Sequence, residues 1–188
     1  MKAIDRQFTK IINGTTQFVI PVFQRDYSWN DTQCSQLWED VVRVGKSPNR
    51  AHFMGSLVYI PSGDTAAGFT RWLLIDGQQR ITTLTLLILA LRNHLQNANW
   101  QPQADDDPSV KKLTAYFLRN NEEEGDRQFK LVLRRHDQAV LRALLEGQPL
   151  PENTGSKVLE AYEYFLERLS IGDVDPRVVT QASAGRSS

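Results

Sequence analysis

Polar side chains that bind phosphate well are crowded into one short stretch of the sequence. Leu73–Ile75 predict a buried strand, Gly77 predicts a turn at positive φ, and a helical apolar spacing begins at Ile81. Four large polar groups fill the junction: Asp76, Gln78, Gln79 and Arg80. Free backbone N–H groups and the positive end of the helix dipole meet at such a junction. The stretch therefore predicts binding of an anion such as phosphate.

These side chains can take part in that chemistry in different ways. The Arg80 guanidinium can bind two phosphate oxygens at once, and the Gln78 and Gln79 amides can donate to phosphate or position a water. An alternative is purely structural: Asp76 caps the helix and Arg80 pairs with a surface carboxylate. A cap needs one of the four groups, so we favour the anion site.

A second unusual stretch runs from Ile20 to Trp29 and combines an arginine, an amide and three aromatic residues. Pro21 ends the preceding strand, so these side chains lie in a loop. For Gln24 and Arg25 the alternative to a functional role is a turn held by a surface salt bridge. For Tyr27 and Trp29 it is packing against the helix predicted over residues 31–44.

Composition limits the function classes. The 188 residues hold 22 basic and 22 acidic side chains, which gives no global nucleic-acid signal. The first hundred residues hold ten basic and seven acidic groups, so an anionic ligand is expected in that half. A single cysteine, Cys34, excludes an internal disulfide and is expected to be a small core residue. With no signal peptide and no membrane-spanning run, we expect a cytoplasmic protein without membrane contact.

The hydrophobic pattern predicts a mixed α and β chain. A first helix is expected to end before Gly14. A second helix is expected to begin with a capping box formed by Asn30 and Gln33 and to end at Gly45. A later helix is expected to have Asp107 as its N-cap. Strands are predicted at 17–20, 52–60, 71–75 and 129–133, the middle two as a hairpin, and further helices at 81–95, 110–117, 137–146 and 156–169.

Several common chemistries have no sequence support. Neither a P-loop nor a Gly-x-Gly-x-x-Gly fingerprint is present, and no Gly-x-Ser-x-Gly elbow occurs. His52, His94 and His136 are isolated from one another and lack metal-ligand spacing. A nucleotide would therefore bind through a less common loop.

Three stretches taken in order resemble a known family. Pro21–Trp29, Phe53–Leu57 and Ile75–Arg80, the last followed by Thr82-Thr83-Leu84, are similar to the N-terminal domain of GmrSD-type restriction systems. That domain is related in fold to the ParB and sulfiredoxin group. The resemblance implies an α+β fold with a small mixed sheet and packed helices. A polar turn and an acidic run at residues 97–108 mark a boundary, and the tail from residue 171 is polar and rich in small residues, so its composition predicts fraying. The chain is thus expected to comprise a nucleotide-binding core (1–100), a helical extension (101–170) and a flexible tail or truncated linker (171–188).

The resemblance also implies a function. Such domains bind and hydrolyse a nucleoside triphosphate, GTP or ATP with Mg²⁺, and license a C-terminal HNH nuclease that cuts modified phage DNA. No HNH motif is present, so that nuclease domain is expected to lie outside this chain. Matched residue by residue, the nucleotide motif comprises Asp76, Gly77, Gln78, Gln79 and Arg80 with Thr82 and Thr83. Gln24 and Arg25 match the box that faces it in ParB-like folds, and the resemblance places Tyr27 and Trp29 where some members of the family sense modified DNA.

The leading hypothesis is therefore NTP hydrolysis in a phage-defence protein. Arg80 and Arg25 would neutralise phosphate charge, Gln78 or Gln79 would position the attacking water, and Asp76 would orient water or Mg²⁺. The alternative is a non-catalytic switch, in which nucleotide binding changes affinity for DNA or a partner protein. Direct DNA nicking by this chain is disfavoured because metal ligands do not cluster. Modified DNA, the nuclease domain and a second copy of the chain are the expected partners.

Overall fold

A computed structural model describes residues 12, 14–47, 57–66, 68–152 and 155–184. Most of the helix predicted before Gly14, and residues 52–56 of the strand predicted at 52–60, lie outside the described residues. The strands are β1 Thr16–Val19, β2 Val58–Ala66, β3 Phe69–Asp76 and β4 Leu131–Val132. The helices are α1 Asp31–Lys46, α2 Gln78–Asn97, α3 Val110–Leu113 (extended by a π-helical turn, Thr114–Leu118), α4 Arg135–Glu146, α5 Lys157–Ser170 and α6 Pro176–Ala184.

The four strands form one mixed sheet in the order β2-β3-β1-β4. The central strand β1 runs parallel to both of its neighbours, with Phe18 in register with Trp72 and with Leu131. β2 and β3 form the predicted antiparallel hairpin. The α+β fold class is therefore confirmed, and the likeness to the ParB and sulfiredoxin group stays a prediction. Parallel pairing brings the carboxyl ends of β1, β3 and β4 to one edge of the sheet.

The helix α2 forms the centre of the hydrophobic core. Every residue from Ile81 to Leu91 is buried, as expected for a helix covered on all sides. Its buried hydroxyls are satisfied within the helix: Thr82, Thr83 and Thr85 each donate to the carbonyl four residues earlier, at 2.7, 2.7 and 2.9 Å. In the described ranges, neither α2 nor any other helix has the length and hydropathy to cross a bilayer.

The sequence predicts that Gly45 ends α1. This prediction is wrong, because the helix continues to Lys46. The glycine is required for another reason. A Cβ atom on residue 45 would lie 2.0 Å from the carbonyl oxygen of Val178, in the facing helix α6. Gly45 therefore lets the two helices approach closely. The predicted capping box of Asn30 with Gln33 at the start of α1 is confirmed.

Asp107 does not cap α3, since the N-cap of that helix is Ser109. Its carboxylate instead accepts hydrogen bonds from the N–H groups of Gln103 and Ala104 and from both Nε and Nη2 of Arg177, at 2.6 and 2.9 Å. The Arg177 guanidinium holds the pKa of this carboxyl well below its usual range. Asp107 thus fixes its own turn and anchors α6.

The stretch from Ile171 onward differs from the fraying tail that its composition predicts, because it contains α6. Val179 is fully buried and Val178 packs on the core. The Arg177 guanidinium also lies over the Trp100 ring, 5.3 Å from its centroid. These contacts stabilise α6. Its sequence mixes polar and small residues with few apolar ones, so composition alone does not indicate a packed helix. The three-part domain division itself stays a prediction.

Replacing Gly45 by alanine is expected to lower the free energy of unfolding by about 1–3 kcal/mol, because α6 must move away from α1. The matched control is Gly155→Ala, where the added Cβ meets no atom within 4 Å and should change stability by less than about 0.5 kcal/mol. Urea unfolding followed by circular dichroism measures both. Equal midpoints for the two variants would contradict the close-packing role.

Lys130 predicts a pH dependence of stability. Its side chain is 2% exposed and donates to the carbonyls of Ile12 and Gly14, and burial lowers its pKa to about 8. Between pH 8 and the unfolded value near 10.4 the unfolded chain binds more protons, so stability rises with pH. Relative to Lys130→Met, the wild type should gain up to about 3 kcal/mol from pH 7.5 to 10. A constant difference in urea unfolding across that range would contradict the shift.

Candidate functional site

A small pocket lies at the carboxyl edge of the three parallel strands, which we call the strand-end pocket. It encloses about 200 Å³ of empty space, part of it open to solvent. Each parallel strand contributes three residues from the segment that follows it: Ile20, Arg25 and Tyr27 after β1; Gln78, Gln79 and Thr82 after β3; Leu133, Arg134 and Asp137 after β4. Ligands of open sheets bind at such an edge, where the strand order reverses.

The turn between β3 and α2 has the predicted geometry. Gly77 adopts φ +89°, and it is the N-cap of α2 without any side-chain cap. The Asp76 carboxylate accepts from the N–H of Gly77 at 2.8 Å, so it stabilises the turn and does not cap the helix. The first intrahelical hydrogen bond runs from Ile81 N–H to Gly77 O at 3.0 Å. This helix end therefore presents backbone amides to an anion.

The two glutamines of the junction have different surroundings. Gln79 is 8% exposed, and its Oε1 accepts from the N–H of Ser28 at 2.9 Å while its Nε2 donates to the carbonyl of Asp26 at 3.1 Å. This amide fastens the loop over residues 20–30 to α2. Gln78 lines the pocket, and within the described part of the chain its side-chain amide makes no hydrogen bond. Of the pair, Gln78 is the one able to bind a ligand or water.

Gln24 and Arg25 also differ in role: Gln24 makes structural hydrogen bonds, whereas Arg25 is available to bind a ligand. Gln24 donates from Nε2 to the carbonyl of Ile75 at 3.0 Å, and its own carbonyl accepts from Arg134 at 3.1 Å. Arg25 is exposed and lines the pocket, and no described residue forms an ion pair with it. The structure thus brings Arg25 and Gln78 to one pocket, as the resemblance implies for the two motifs.

Tyr27 faces the core. It is 7% exposed, and its hydroxyl donates to Thr83 Oγ1 at 2.8 Å because the Thr83 hydroxyl is itself committed to the carbonyl of Gln79. The same hydroxyl lies 3.9 Å from the sulfur of Cys34 in α1. Burial raises the pKa of both the phenol and the thiol. These contacts agree with the alternative in which Tyr27 packs against the helix α1. The prediction that Cys34 is a small core residue is confirmed.

The remaining candidates lie around the pocket. Thr82 lines it, whereas the Thr83 hydroxyl points to Tyr27. Asp76 is exposed at the end of β3, and Arg80 is half-buried on the first turn of α2; neither is part of the lining. Trp29 is partly buried and packs against the core.

Sequence reasoning missed the third side of the pocket, which follows β4. Arg134 pairs with Asp26, Nη1 to Oδ1, at 3.0 Å. Asp137 is buried, and its carboxylate accepts from the N–H of Tyr27 at 3.0 Å and from Ser156 Oγ at 3.4 Å. The sequence did contain a hint of this side: an alternating strand pattern around Leu131 leads into a helix, as it does at the junction of β3 with α2. The parallel pairing of β4 with β1, however, cannot be read from the sequence.

Fold and pocket together define an α+β domain with a candidate anion site at the carboxyl edge of a small mixed sheet. A family model described as the GmrSD restriction endonuclease, N-terminal domain, matches residues 8–180. The chain belongs to this family, which confirms the resemblance and associates the chain with restriction systems and phage defence. A comparison with curated proteins finds no match.

The different surroundings of the two glutamines predict different effects on stability. Gln79→Ala should lower the free energy of unfolding by about 1–3 kcal/mol, because it leaves the Ser28 N–H and the Asp26 carbonyl without their partner. Gln78→Ala should change it by less than about 0.5 kcal/mol. Urea unfolding of the two variants measures the contrast, and similar losses would refute the assignment.

Proposed function

We propose that this chain binds a nucleoside triphosphate, GTP or ATP, with the phosphates in the strand-end pocket, and hydrolyses it. The observation that carries the proposal is the convergence of Arg25, Arg134 and the uncapped start of α2 on one solvent-open pocket. Guanidinium groups and helix N-termini are the groups that proteins use to bind phosphate. The edge of the parallel strands is where such sites form.

The pocket is narrow, with interior room for about one water molecule, and it opens to solvent. In the proposed arrangement the phosphates therefore bind at its open side, and the sugar and base lie farther out in solvent.

Hydrolysis of a triphosphate requires positioning and charge neutralisation more than covalent chemistry. In the proposed arrangement Arg25 contacts phosphate oxygens and Arg80 supports them from the first turn of α2. Gly77 lets the backbone approach the phosphates closely, because it has no Cβ. Gln78 positions the attacking water, since the Gln79 amide is committed to the loop.

The proposal gives Mg²⁺ a single protein ligand, a carboxylate beside the pocket. Proteins bind Mg²⁺ with nucleotides through one or two carboxylates, with phosphate oxygens and water completing the shell. Among the described residues no group of three or more histidine, cysteine or acidic side chains comes together. The exposed carboxylate of Asp76 keeps Oδ2 available beside the start of α2 and would hold the ion, which neutralises phosphate charge when bound.

The biological role we propose follows from the family. As the N-terminal domain of a restriction endonuclease, the chain would use nucleotide hydrolysis to license a C-terminal HNH nuclease domain on modified DNA. Contact of Trp29 with that DNA is a proposal of the same kind. The buried hydroxyl of Tyr27 would act there indirectly, by fixing the loop. Homodimer formation stays a prediction.

A second candidate function is a non-catalytic switch. It is favoured by the way pocket residues hold the loop over residues 20–30: Gln79, Arg134 and Asp137 each bond to it. A bound phosphate would therefore act on the loop even without turnover. Phosphate release measured beside ligand-induced melting shifts separates the two functions, since the switch predicts a shift without release.

Arg25→Ala should reduce phosphate release from Mg·ATP or Mg·GTP at least about tenfold, because an arginine–phosphate contact is among the strongest hydrogen bonds. Its melting temperature should stay unchanged, since no described residue pairs with this exposed side chain. The control is Arg43→Ala, an exposed arginine that pairs with Asp40 in its own helix. Full turnover by Arg25→Ala would overturn the pocket assignment.

Arg80→Ala tests the other motif. We expect turnover to fall below detection while urea unfolding remains cooperative, because the side chain leaves the first turn of a helix anchored by its apolar residues. Loss of the unfolding transition would show a structural role for Arg80, and retained phosphate release would show that it does not serve the phosphates.

A further inference from the structure

We infer that the Asp26–Arg134 ion pair is a built-in competitor for the phosphate: Asp26 holds Arg134 until a highly charged anion displaces it. This inference deepens the proposed function and rests on it. It assigns Arg134 as a further phosphate-binding guanidinium beside Arg25 and Arg80, and Asp26 as the group that sets the affinity of the site. Neither residue belongs to the motifs that the sequence singles out for phosphate.

The geometry places Arg134 between two sets of partners. Its side chain lines the strand-end pocket beside Arg25. From the same position Nη1 reaches Asp26 Oδ1 at 3.0 Å and the carbonyl of Gln24 at 3.1 Å. Arg134 is also the N-cap residue of α4, which has no side-chain cap. A phosphate in the pocket would meet Arg134, Arg25 and the start of α2 together.

Two carboxylates lie close to these arginines, Asp137 in the pocket lining and Asp26 on Arg134, and they differ in how firmly they are held. Asp137 is buried, and hydrogen bonds from Tyr27 and Ser156 fix its two oxygens. The Asp26 side chain is 65% exposed, and within the described ranges Arg134 is its one side-chain partner. The Asp26 backbone is held by Gln79, so its carboxylate can rotate into water while the loop stays in place. Asp26 is therefore the carboxylate that can leave.

The energetics favour exchange for polyphosphates. An exposed ion pair contributes little, because water screens it and two side chains are restrained. An arginine–phosphate contact is charge-assisted and bidentate, and several phosphate charges act on Arg134 and Arg25 at once. Because the pair is weak, it lowers the affinity of any anion only modestly, and a ligand with several phosphate charges, such as the triphosphate of a nucleotide, displaces Asp26 most readily.

The experiment is calorimetric titration of the whole chain with sodium tripolyphosphate at low ionic strength. Asp26→Asn should bind roughly two- to fivefold more tightly than wild type, because the competing charge is removed. Arg134→Gln should bind about tenfold more weakly, and Arg134→Lys should fall between Gln and wild type. Asp173→Asn removes an exposed charge from the turn after α5 and should bind as wild type does. Melting temperatures of all variants check folding.

The outcomes separate this inference from the proposed function. If wild type binds and Arg25→Ala weakens binding, while Asp26→Asn binds no more tightly, the competitor role is overturned and the phosphate site stands. If Arg134→Gln keeps wild-type affinity, Arg134 is not part of the site. If none of the proteins binds tripolyphosphate, both the site and its competitor are wrong. Tighter binding by Asp26→Asn supports the inference directly, since a merely structural role would weaken binding.

Discussion

Parallel pairing of β1 with both β3 and β4 is the constraint on which the candidate site depends. Parallel strands end at the same edge of a sheet, so the three segments that follow these strands meet there. One segment is a loop and two are helix starts. Any ligand in the strand-end pocket contacts residues more than a hundred positions apart in sequence, and the sheet register fixes their relative positions.

The loop after β1 is positioned by polar contacts more than by apolar packing. Gln24 bonds to the end of β3, Gln79 holds the loop from α2, and Asp137 accepts the N–H of Tyr27 from α4. Each of these bonds satisfies a backbone group, either in the loop itself or at the end of β3 beside it, that would otherwise be left without that partner. Several polar residues of the motifs thus build the pocket, and a smaller set, with Arg25 and Gln78, is available to the ligand.

This division changes how the family motif is interpreted. The adjacent glutamines look equivalent in sequence, yet one is committed to the loop and the other faces the pocket. Likewise the two arginines of the pocket follow different strands, β1 and β4, and one of them, Arg134, is paired with a carboxylate. A pocket in which one arginine already has a carboxylate partner can respond to a ligand by exchanging that partner, which suits both an enzyme and a switch.

The sequence by itself determined the helices and strands and the junction of β3 with α2. Apolar periodicity predicted α2, and the turn before it needs glycine at Gly77 because φ is positive there. Asn30 with Gln33 predicted the start of α1. These depend on neighbours within a few residues. Tertiary structure decided the rest: that Gly45 permits close approach of α6, that Asp107 anchors Arg177, and that Arg134 joins Arg25. Such contacts join distant parts of the chain, and sheet pairing and helix packing bring them together without leaving a periodic pattern in the sequence.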